Sequence, residues 1–166
     1  MRTLKKYHVL VALLAFMCVY AQASVVSIQV LQHDSLDKNI HSTSFLIEDT
    51  LMDYFFDAGC IASSMPAAIS PDSKSDAKFE KEALLGAEEG FCNYLIVVYA
   101  DYDTSESRNP TADLLSNIAS VSWKVINVRD GETISSGRRK PPVQQSSKDV
   151  VTFIRELAVT IAAAIR

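Results

Sequence analysis

The chain has 166 residues, of which 48% are apolar and 22% are charged. This composition is typical of a compact domain with a buried core, and it excludes a disordered tail, a collagen-like repeat, a coiled coil and a polytopic membrane protein. Without residues 1–23, which carry three basic residues and no acidic one, 13 basic and 20 acidic residues remain, a formal charge of −7. Nucleic acid and anionic lipid repel so acidic a domain, so we expect neither as a partner.

Residues 1–23 have the pattern of a secretory signal peptide. A basic start is followed by an apolar run from Val9 to Ala21, and Ala21-Gln22-Ala23 places small residues at the two positions that signal peptidase reads. We therefore expect cleavage between Ala23 and Ser24 and a periplasmic or secreted protein. The apolar run of about 13 residues is shorter than the roughly 20 residues that span a bilayer.

Cys18 leaves a second kind of export open. An outer-membrane lipoprotein would begin at this cysteine and would be tethered to the membrane by its lipid. Lipoprotein signals place small residues before the modified cysteine, whereas Phe16 and Met17 stand there. The pattern therefore favours the soluble exported form.

Cys60 and Cys92 remain after cleavage, and they have similar settings. Each follows a helical pattern that ends at a glycine, and each precedes an apolar run. If both runs are parallel strands, the two thiols lie at the same edge of a sheet, and an exported compartment permits a disulfide between them. Closing a loop of about 33 residues would contribute roughly 3–4 kcal/mol. The alternative is two buried free thiols. The sequence shows no metal-ligand spacing around them.

The first half of the mature chain alternates strand and helix patterns. A β-branched strand is predicted at 25–31 and a helix over about 42–58. A weaker strand is predicted at 60–69, where Pro66 indicates an edge position or a bulge. A second helix is predicted over about 75–89.

The second half begins with the strongest strand signal in the chain, the unbroken apolar run 94–100, which predicts a central strand covered on both faces. A polar segment follows over 101–117. Apolar and polar side chains then alternate over residues 118–128, which predicts a half-buried strand. An Asp-Gly turn leads from it into a returning strand over 132–137. The final helix, predicted from Ser146 or Ser147, repeats apolar residues at spacings of three and four. The predicted order is β-α-β-α-β-β-β-α, one mixed sheet with packed helices in an α/β (α+β) domain over 24–166.

Three local signatures accompany this order. They are the helix-Gly-strand junction at 55–61, the segment Gly-Ala-Glu-Glu-Gly-Phe-Cys-Asn-Tyr-Leu-Ile-Val at 86–97, and Val-Ile-Asn-Val-Arg-Asp-Gly-Glu at 125–132. The last is similar to a strand-turn pattern L-x-D-x-x-T-G-E, although Asn127 and Asp130 stand at the usual Asp and Thr. Together they resemble the small envelope domain shared by the amino-terminal domain of TolB, the curli-secretion protein CsgG and the peptidoglycan-synthase activator LpoB. The resemblance implies a stand-alone periplasmic domain and does not transfer a particular partner.

The motifs of common enzyme classes are missing from the sequence. There is no Gly-x-Ser-x-Gly elbow, no Gly-x-Gly-x-x-Gly and no P-loop. Asp101 and Asp103 imitate the start of a calcium loop, but Glu106 and Ala112 stand where that loop needs Gly and Glu. We therefore expect no enzymatic activity and no cofactor.

Two features are candidate partner-binding sites. Arg138, Arg139 and Lys140 form the only dense positive patch, which is either a solvated exit from the hairpin or a docking point for an acidic partner or a cell-wall polymer. Trp123 lies either in the core or, if its face is uncovered, in a binding hot spot. The sequence thus predicts a non-enzymatic interaction module of the bacterial envelope. The alternative is a periplasmic protein that binds a small ligand or the cell wall, with its pocket under the 101–117 segment.

Overall fold

The computed structural model describes residues 23–34, 39–102, 118–142 and 146–165. Its elements are β1 (Val25–His33), α1 (Ser42–Asp57), β2 (Ile61–Ile69), α2 (Ser73–Glu89), β3 (Tyr94–Tyr102), β4 (Ile118–Asn127), β5 (Thr133–Arg139) and α3 (Ser147–Ala162). The predicted fold class and element order are confirmed. The signal peptide before Ala23, Cys18 and most of the 101–117 segment lie outside the described residues.

The five strands form one mixed sheet in the order β2-β1-β3-β4-β5. β1 is parallel to both of its neighbours, whereas β4 is antiparallel to β3 and β5 is antiparallel to β4. The apolar run of β3 therefore lies at the centre of the sheet, and Leu95–Ala100 is buried throughout. The parallel strands β1, β2 and β3 end at one edge of the sheet, called here the upper edge, and begin at the lower edge.

Helices cover the two faces of the sheet unequally. The front face, covered by α1 and α3, holds the larger core, which includes Ile28, Val98 and Trp123. The back face, covered by α2, holds a smaller core around Leu31, Leu95 and Val97. Because side chains alternate along a strand, neighbouring residues belong to different cores. No helix within the described ranges is long and apolar enough to cross a membrane.

Pro66 lies in the edge strand β2 at an irregularity, as its position in the sequence predicts. Gln29 pairs with Met65 and Leu31 pairs with Ala68, so two residues of β2 stand opposite one residue of β1. The Gln29 Nε2 group donates a hydrogen bond of 2.9 Å to the carbonyl of Pro66. Proline is tolerated here because a bulge in an edge strand does not need its missing N–H group.

The β4–β5 hairpin turns through Asp130-Gly131, and Gly131 adopts a φ of 72° that suits glycine. β5 runs to Arg139, two residues beyond its predicted end. Gly137 lies beneath the indole ring of Trp123, where an added Cβ atom would lie only 2.4 Å from Cζ2. The close approach of this strand to the ring requires a glycine.

Candidate functional site

The upper edge of the sheet gathers polar side chains on its back face. His33 ends β1, and Asp101 lies directly beside it near the end of β3. The Nδ1 atom of His33 lies 2.7 Å from Asp101 Oδ1, and its Nε2 atom lies 2.8 Å from Asp76 Oδ1 in the first turn of α2. His33, the two carboxylates and the side chains that contact these carboxylates are called here the His33 cluster. Its members are His33, Ser70, Asp76, Asp101, Ser120 and Arg138.

The two carboxylates favour the charged imidazolium. The hydrogen bond to Asp101, together with the bond to Asp76, raises the pKa of His33 above its ordinary 6.5, although burial opposes this change. Burial alone would raise the pKa of Asp101, but the hydrogen bonds from His33 and Ser120 outweigh it and lower that pKa. With a carboxylate against each ring nitrogen, the geometry favours the imidazolium form, in which both N–H groups donate to carboxylates.

The hydroxyl groups of the cluster are also donors. Ser70 Oγ donates to Asp76, and Ser120 Oγ donates to Asp101. Arg138 Nε donates to Ser120 Oγ at 2.8 Å and its Nη2 donates to Asp101 Oδ2 at 2.9 Å. A serine nucleophile needs a neighbouring base that accepts its proton, and both nitrogens of His33 are already in contact with carboxylates. The geometry holds β1, α2, β3, β4 and β5 together and offers no nucleophile–base pair within the cluster.

A second polar contact joins α2 to the sheet one turn further along the helix. Glu80 Oε1 accepts hydrogen bonds from Tyr99 OH and, at 2.7 Å, from Lys124 Nζ. Burial and the neighbouring Glu80 raise the pKa of Tyr99, so the phenol stays protonated. The buried residues of α2, Ala83 and Ala87, are small and lie in its second half. The first half of α2 is held by Asp76 and Glu80 together with Phe79, which packs against the back core.

The second histidine lies on the front face of the same edge. His41 Nε2 contacts the buried Asp34 Oδ2 at 2.7 Å, and the backbone N–H of His41 donates to Gln32 Oε1 at 2.8 Å. Ser44 Oγ bonds to the same amide oxygen and lies 3.0 Å from Tyr102 OH. Burial raises the pKa of Tyr102 to about 12. These contacts fix the start of α1 against the ends of β1 and β3.

The structure separates the residues of the predicted positive patch. Because Arg138 and Arg139 are neighbours on a strand, they point to opposite faces. Arg138 belongs to the His33 cluster, where it donates to Asp101, whereas Arg139 Nη2 donates to Thr160 Oγ1 of α3 at 3.0 Å. Lys140 is exposed. The three side chains therefore do not present one continuous docking surface.

Trp123 is a core residue and not an exposed contact residue. It is 6% exposed and belongs to the front core, because α3 covers the alternating face of β4. Its Nε1 atom has no hydrogen-bond partner within the described residues. Of the two positions that the sequence left open for Trp123, the structure therefore supports the core and contradicts the exposed hot spot.

The expected disulfide is also not formed. Cys60 and Cys92 are both free and partly buried. They lie at the same edge, as the sequence predicted, but Cys60 packs against the front core and Cys92 against the back core. The sheet lies between them. Burial raises the pKa of the Cys60 thiol, which keeps it protonated.

Two open clefts lie at the lower edge of the sheet. One, of about 290 Å³, is lined by Cys60 together with Tyr54 of α1 and Ile165 after α3. The other, of about 380 Å³, is lined by Cys92 and Arg129, among others. The part of the chain that the structure describes contains no group of three or more His, Cys, Asp or Glu that could hold a metal ion.

The outward side of α1 carries a feature that the sequence reading missed. Phe45 is 47% exposed and Phe56 is 74% exposed, and the exposed Asp49 and Asp53 lie between them on the same stripe of the helix. These four residues are called here the α1 ridge. The spacing of four, four and three residues between the members of the α1 ridge places them on one side of a helix. This spacing is the sequence signal that could have predicted the ridge.

Comparisons with known proteins return distant structures of similar length. The PelC dodecamer from Paraburkholderia phytofirmans is 13% identical over 87% of this chain and 89% of that chain, with a TM-score of 0.46. A lipoprotein from Neisseria meningitidis is 14% identical over 86% and 99% of the two chains, with a TM-score of 0.45. The C-terminal domain of LpoB from Salmonella enterica is 18% identical over 76% and 87%, with a TM-score of 0.40.

A search of curated protein sequences finds no match. A family model described as "uncharacterised protein" matches residues 25–166. This match spans every strand and helix described above, and the chain therefore belongs to that family.

Proposed function

We propose that this protein is an exported, non-enzymatic interaction module of the bacterial cell envelope, a periplasmic adaptor or assembly factor that binds another protein. The observation that carries the proposal is the α1 ridge. Two phenylalanines that are 47% and 74% exposed share one outward stripe of a helix whose other sides pack against β1, β2 and α3. Large aromatic side chains grouped on a surface are typical of protein interfaces.

The chemistry of the upper edge supports a binding role. Catalysis by a serine or a histidine requires a group that can accept a proton, whereas the hydroxyls of Ser70 and Ser120 donate to carboxylates and each nitrogen of His33 lies against a carboxylate. The His33 cluster therefore has the properties of a structural ion pair. The resemblance to the TolB, CsgG and LpoB envelope domain and the signal-peptide pattern support export to the envelope.

The alternative function is the binding of a small ligand at the lower edge. The cleft of about 380 Å³ has the size of a ligand site, and Asn93 and Arg129 bring polar groups to it. However, Asn93 Oδ1 already accepts a hydrogen bond of 2.8 Å from the backbone of Val25. This cleft therefore supports the alternative less strongly than the α1 ridge supports the interaction module.

Photo-crosslinking in the native envelope tests the proposal. A photoreactive phenylalanine analogue replaces Phe45 or Phe56 in one set of cells, and Leu85 of α2 or Val159 of α3 in the control set. The control side chains are 51% and 57% exposed and lie on other helices. We expect a protein adduct from the two ridge positions and little from the controls. Equal capture at all four positions, or no adduct at any of them, would contradict the proposal.

Mass spectrometry of the exported protein tests its processing. We expect Ser24 as the first residue. A lipid-modified Cys18 would instead place the protein on the membrane.

A further inference from the structure

The α1 ridge has a regular geometry. Phe45 and Phe56 are eleven residues apart, which places them about 16 Å apart along the helix axis. Asp49 and Asp53 lie between them, one turn apart, so two aromatic rings enclose two carboxylates on one exposed stripe. A partner that covers both rings must also lie over both carboxylates.

The fold does not use these carboxylates. Within the described ranges, neither Asp49 nor Asp53 has an ion pair or a side-chain hydrogen bond, and Asp57, one turn further on, reaches only Arg155 at 3.7 Å. Both members of that pair are largely exposed, so it contributes little. Like charges one turn apart destabilise a helix. The row of three aspartates therefore weakens α1 in the free protein.

The position of the aspartates along the helix adds to this cost. Asp53 and Asp57 lie in the last turns of α1, where the helix dipole is negative, and the last turn holds no basic residue. The first turn, where acidic residues would be favourable, holds none. Cations placed against the ridge would relieve both the repulsion between the aspartates and their opposition to the dipole.

We propose that the α1 ridge binds a cationic amphipathic segment of a protein partner. Its Lys or Arg side chains would pair with Asp49 and Asp53, and its apolar side chains would pack against Phe45 and Phe56. The occupant follows from charge complementarity, because an anionic bilayer or an acidic protein would be repelled by the same carboxylates. This inference rests on the proposed function and adds the chemistry of the partner to it.

The test measures binding of a synthetic peptide to the protein purified after export. The probe has about 18 residues, five helical turns, with Leu on one face and Lys on the other. A peptide of the same pattern with Glu in place of Lys is its control. We expect the Lys peptide to bind, with a Kd that rises as salt is increased above about 50 mM, and the Glu peptide not to bind. Equal binding of both peptides would overturn the proposal.

Matched variants separate the ridge from the overall negative charge. The double substitution of Asp49→Asn and Asp53→Asn is compared with Glu89→Gln and Glu156→Gln, which neutralise two exposed carboxylates on other helices. The Asp49→Asn and Asp53→Asn variant loses two exposed ion pairs with the Lys peptide, so we expect its Kd for that peptide to rise roughly threefold to thirtyfold. We expect the Kd of the Glu89→Gln and Glu156→Gln variant to rise less than twofold. Equal effects in the two proteins, or none in the first, would overturn the proposal.

Two further readouts distinguish the ways in which the proposal can fail. We expect the Tm of the Asp49→Asn and Asp53→Asn double variant to rise, because the repulsion between the two carboxylates is removed. A fall in its Tm would show that weak binding comes from misfolding and would overturn the proposal. If photo-crosslinking at Phe45 and Phe56 captures a partner whose capture is unchanged by Asp49→Asn and Asp53→Asn, the cationic segment is wrong and the interaction module stands. Binding to phosphatidylglycerol vesicles in place of the Lys peptide would also overturn the proposal.

Discussion

Substitution of His33 by Gln tests the role of the His33 cluster in the fold. A glutamine carries both of its N–H donors on one nitrogen and cannot place a donor at the positions of both Nδ1 and Nε2, so either Asp76 or Asp101 loses its partner. The side chains of Asp76 and Asp101 are only 17% and 25% exposed, so water replaces the lost bond incompletely. A hydrogen bond to a charged group contributes about 1.5–3 kcal/mol. We therefore expect His33→Gln to lower the free energy of unfolding by roughly 1.5–3 kcal/mol at pH 6.

The pH dependence of this difference follows from the raised pKa of His33. Below pH 6.5, the ordinary value for histidine, the imidazole is charged in both the folded and the unfolded chain, and the full contribution is present. As the pH rises from 6.5 through the higher folded pKa, the folded protein holds a proton that the unfolded chain has lost, and the contribution disappears. The loss cannot exceed about 1.4 kcal/mol per pH unit. The lowered pKa of Asp101 acts oppositely, so its contribution is lost below pH 3.8.

The assay is urea unfolding of the native and His33→Gln proteins between pH 5 and 9, followed by the fluorescence of Trp123. This residue is the single tryptophan of the chain and is buried, so its emission reports loss of the core. We expect the two stability curves to be farthest apart near pH 6 and to converge towards pH 9. Parallel curves over the whole range would refute the assignment of His33 as a cation between two carboxylates.

Three other substitutions or measurements check separate parts of the structure. Gly137→Ala should cost about 1–3 kcal/mol of unfolding free energy, because the new methyl group would overlap the buried ring of Trp123; an unchanged urea midpoint would contradict this packing. Asp53→Asn should raise the free energy of unfolding by about 0.4–1 kcal/mol through relief of two like-charge pairs, and a fall would count against the repulsion. Thiol labelling of the unfolded, unreduced mature protein should modify both Cys60 and Cys92, and protection of both would show a disulfide.

The elements of the fold could be predicted because their signals are local. The unbroken apolar run of 94–100 requires a strand with both faces covered, and the structure places it at the centre of the sheet. The spacing of the apolar residues in the last helix matches its buried face. Pro66 correctly indicated an irregular edge strand. In each case the pattern lies within a few consecutive residues.

The His33 cluster could not be found in this way, because its members are far apart in the sequence. Asp76 and Asp101 are 43 and 68 residues from His33. One usable signal existed. Asp101 directly follows a predicted strand, and His33 comes shortly after the apolar run of another, so parallel pairing of these strands would bring both to the upper edge. The first strand was predicted to end at residue 31, two residues before His33, so His33 was not placed at this edge.

Two findings that the sequence did not predict have the same physical basis, the alternation of side chains about a sheet. The returning strand was predicted to end at residue 137, so the rule of opposite faces was not applied to Arg138 and Arg139. Cys60 and Cys92 were correctly placed at one edge, but the face that each packs against depends on the turn geometry before its strand. That geometry is set by packing and is not readable from residue types alone.

The central claim is that the polar groups of the upper edge stabilise the fold and that the protein acts by binding. The decisive measurement is ¹⁵N NMR of the His33 imidazole at pH 6.5, which shows how many protons the ring carries. We expect both ring nitrogens to carry a proton at pH 6.5 and the ring to lose one only at higher pH. A neutral ring at pH 6.5, with one nitrogen free to accept the proton of a serine or a substrate, would contradict it.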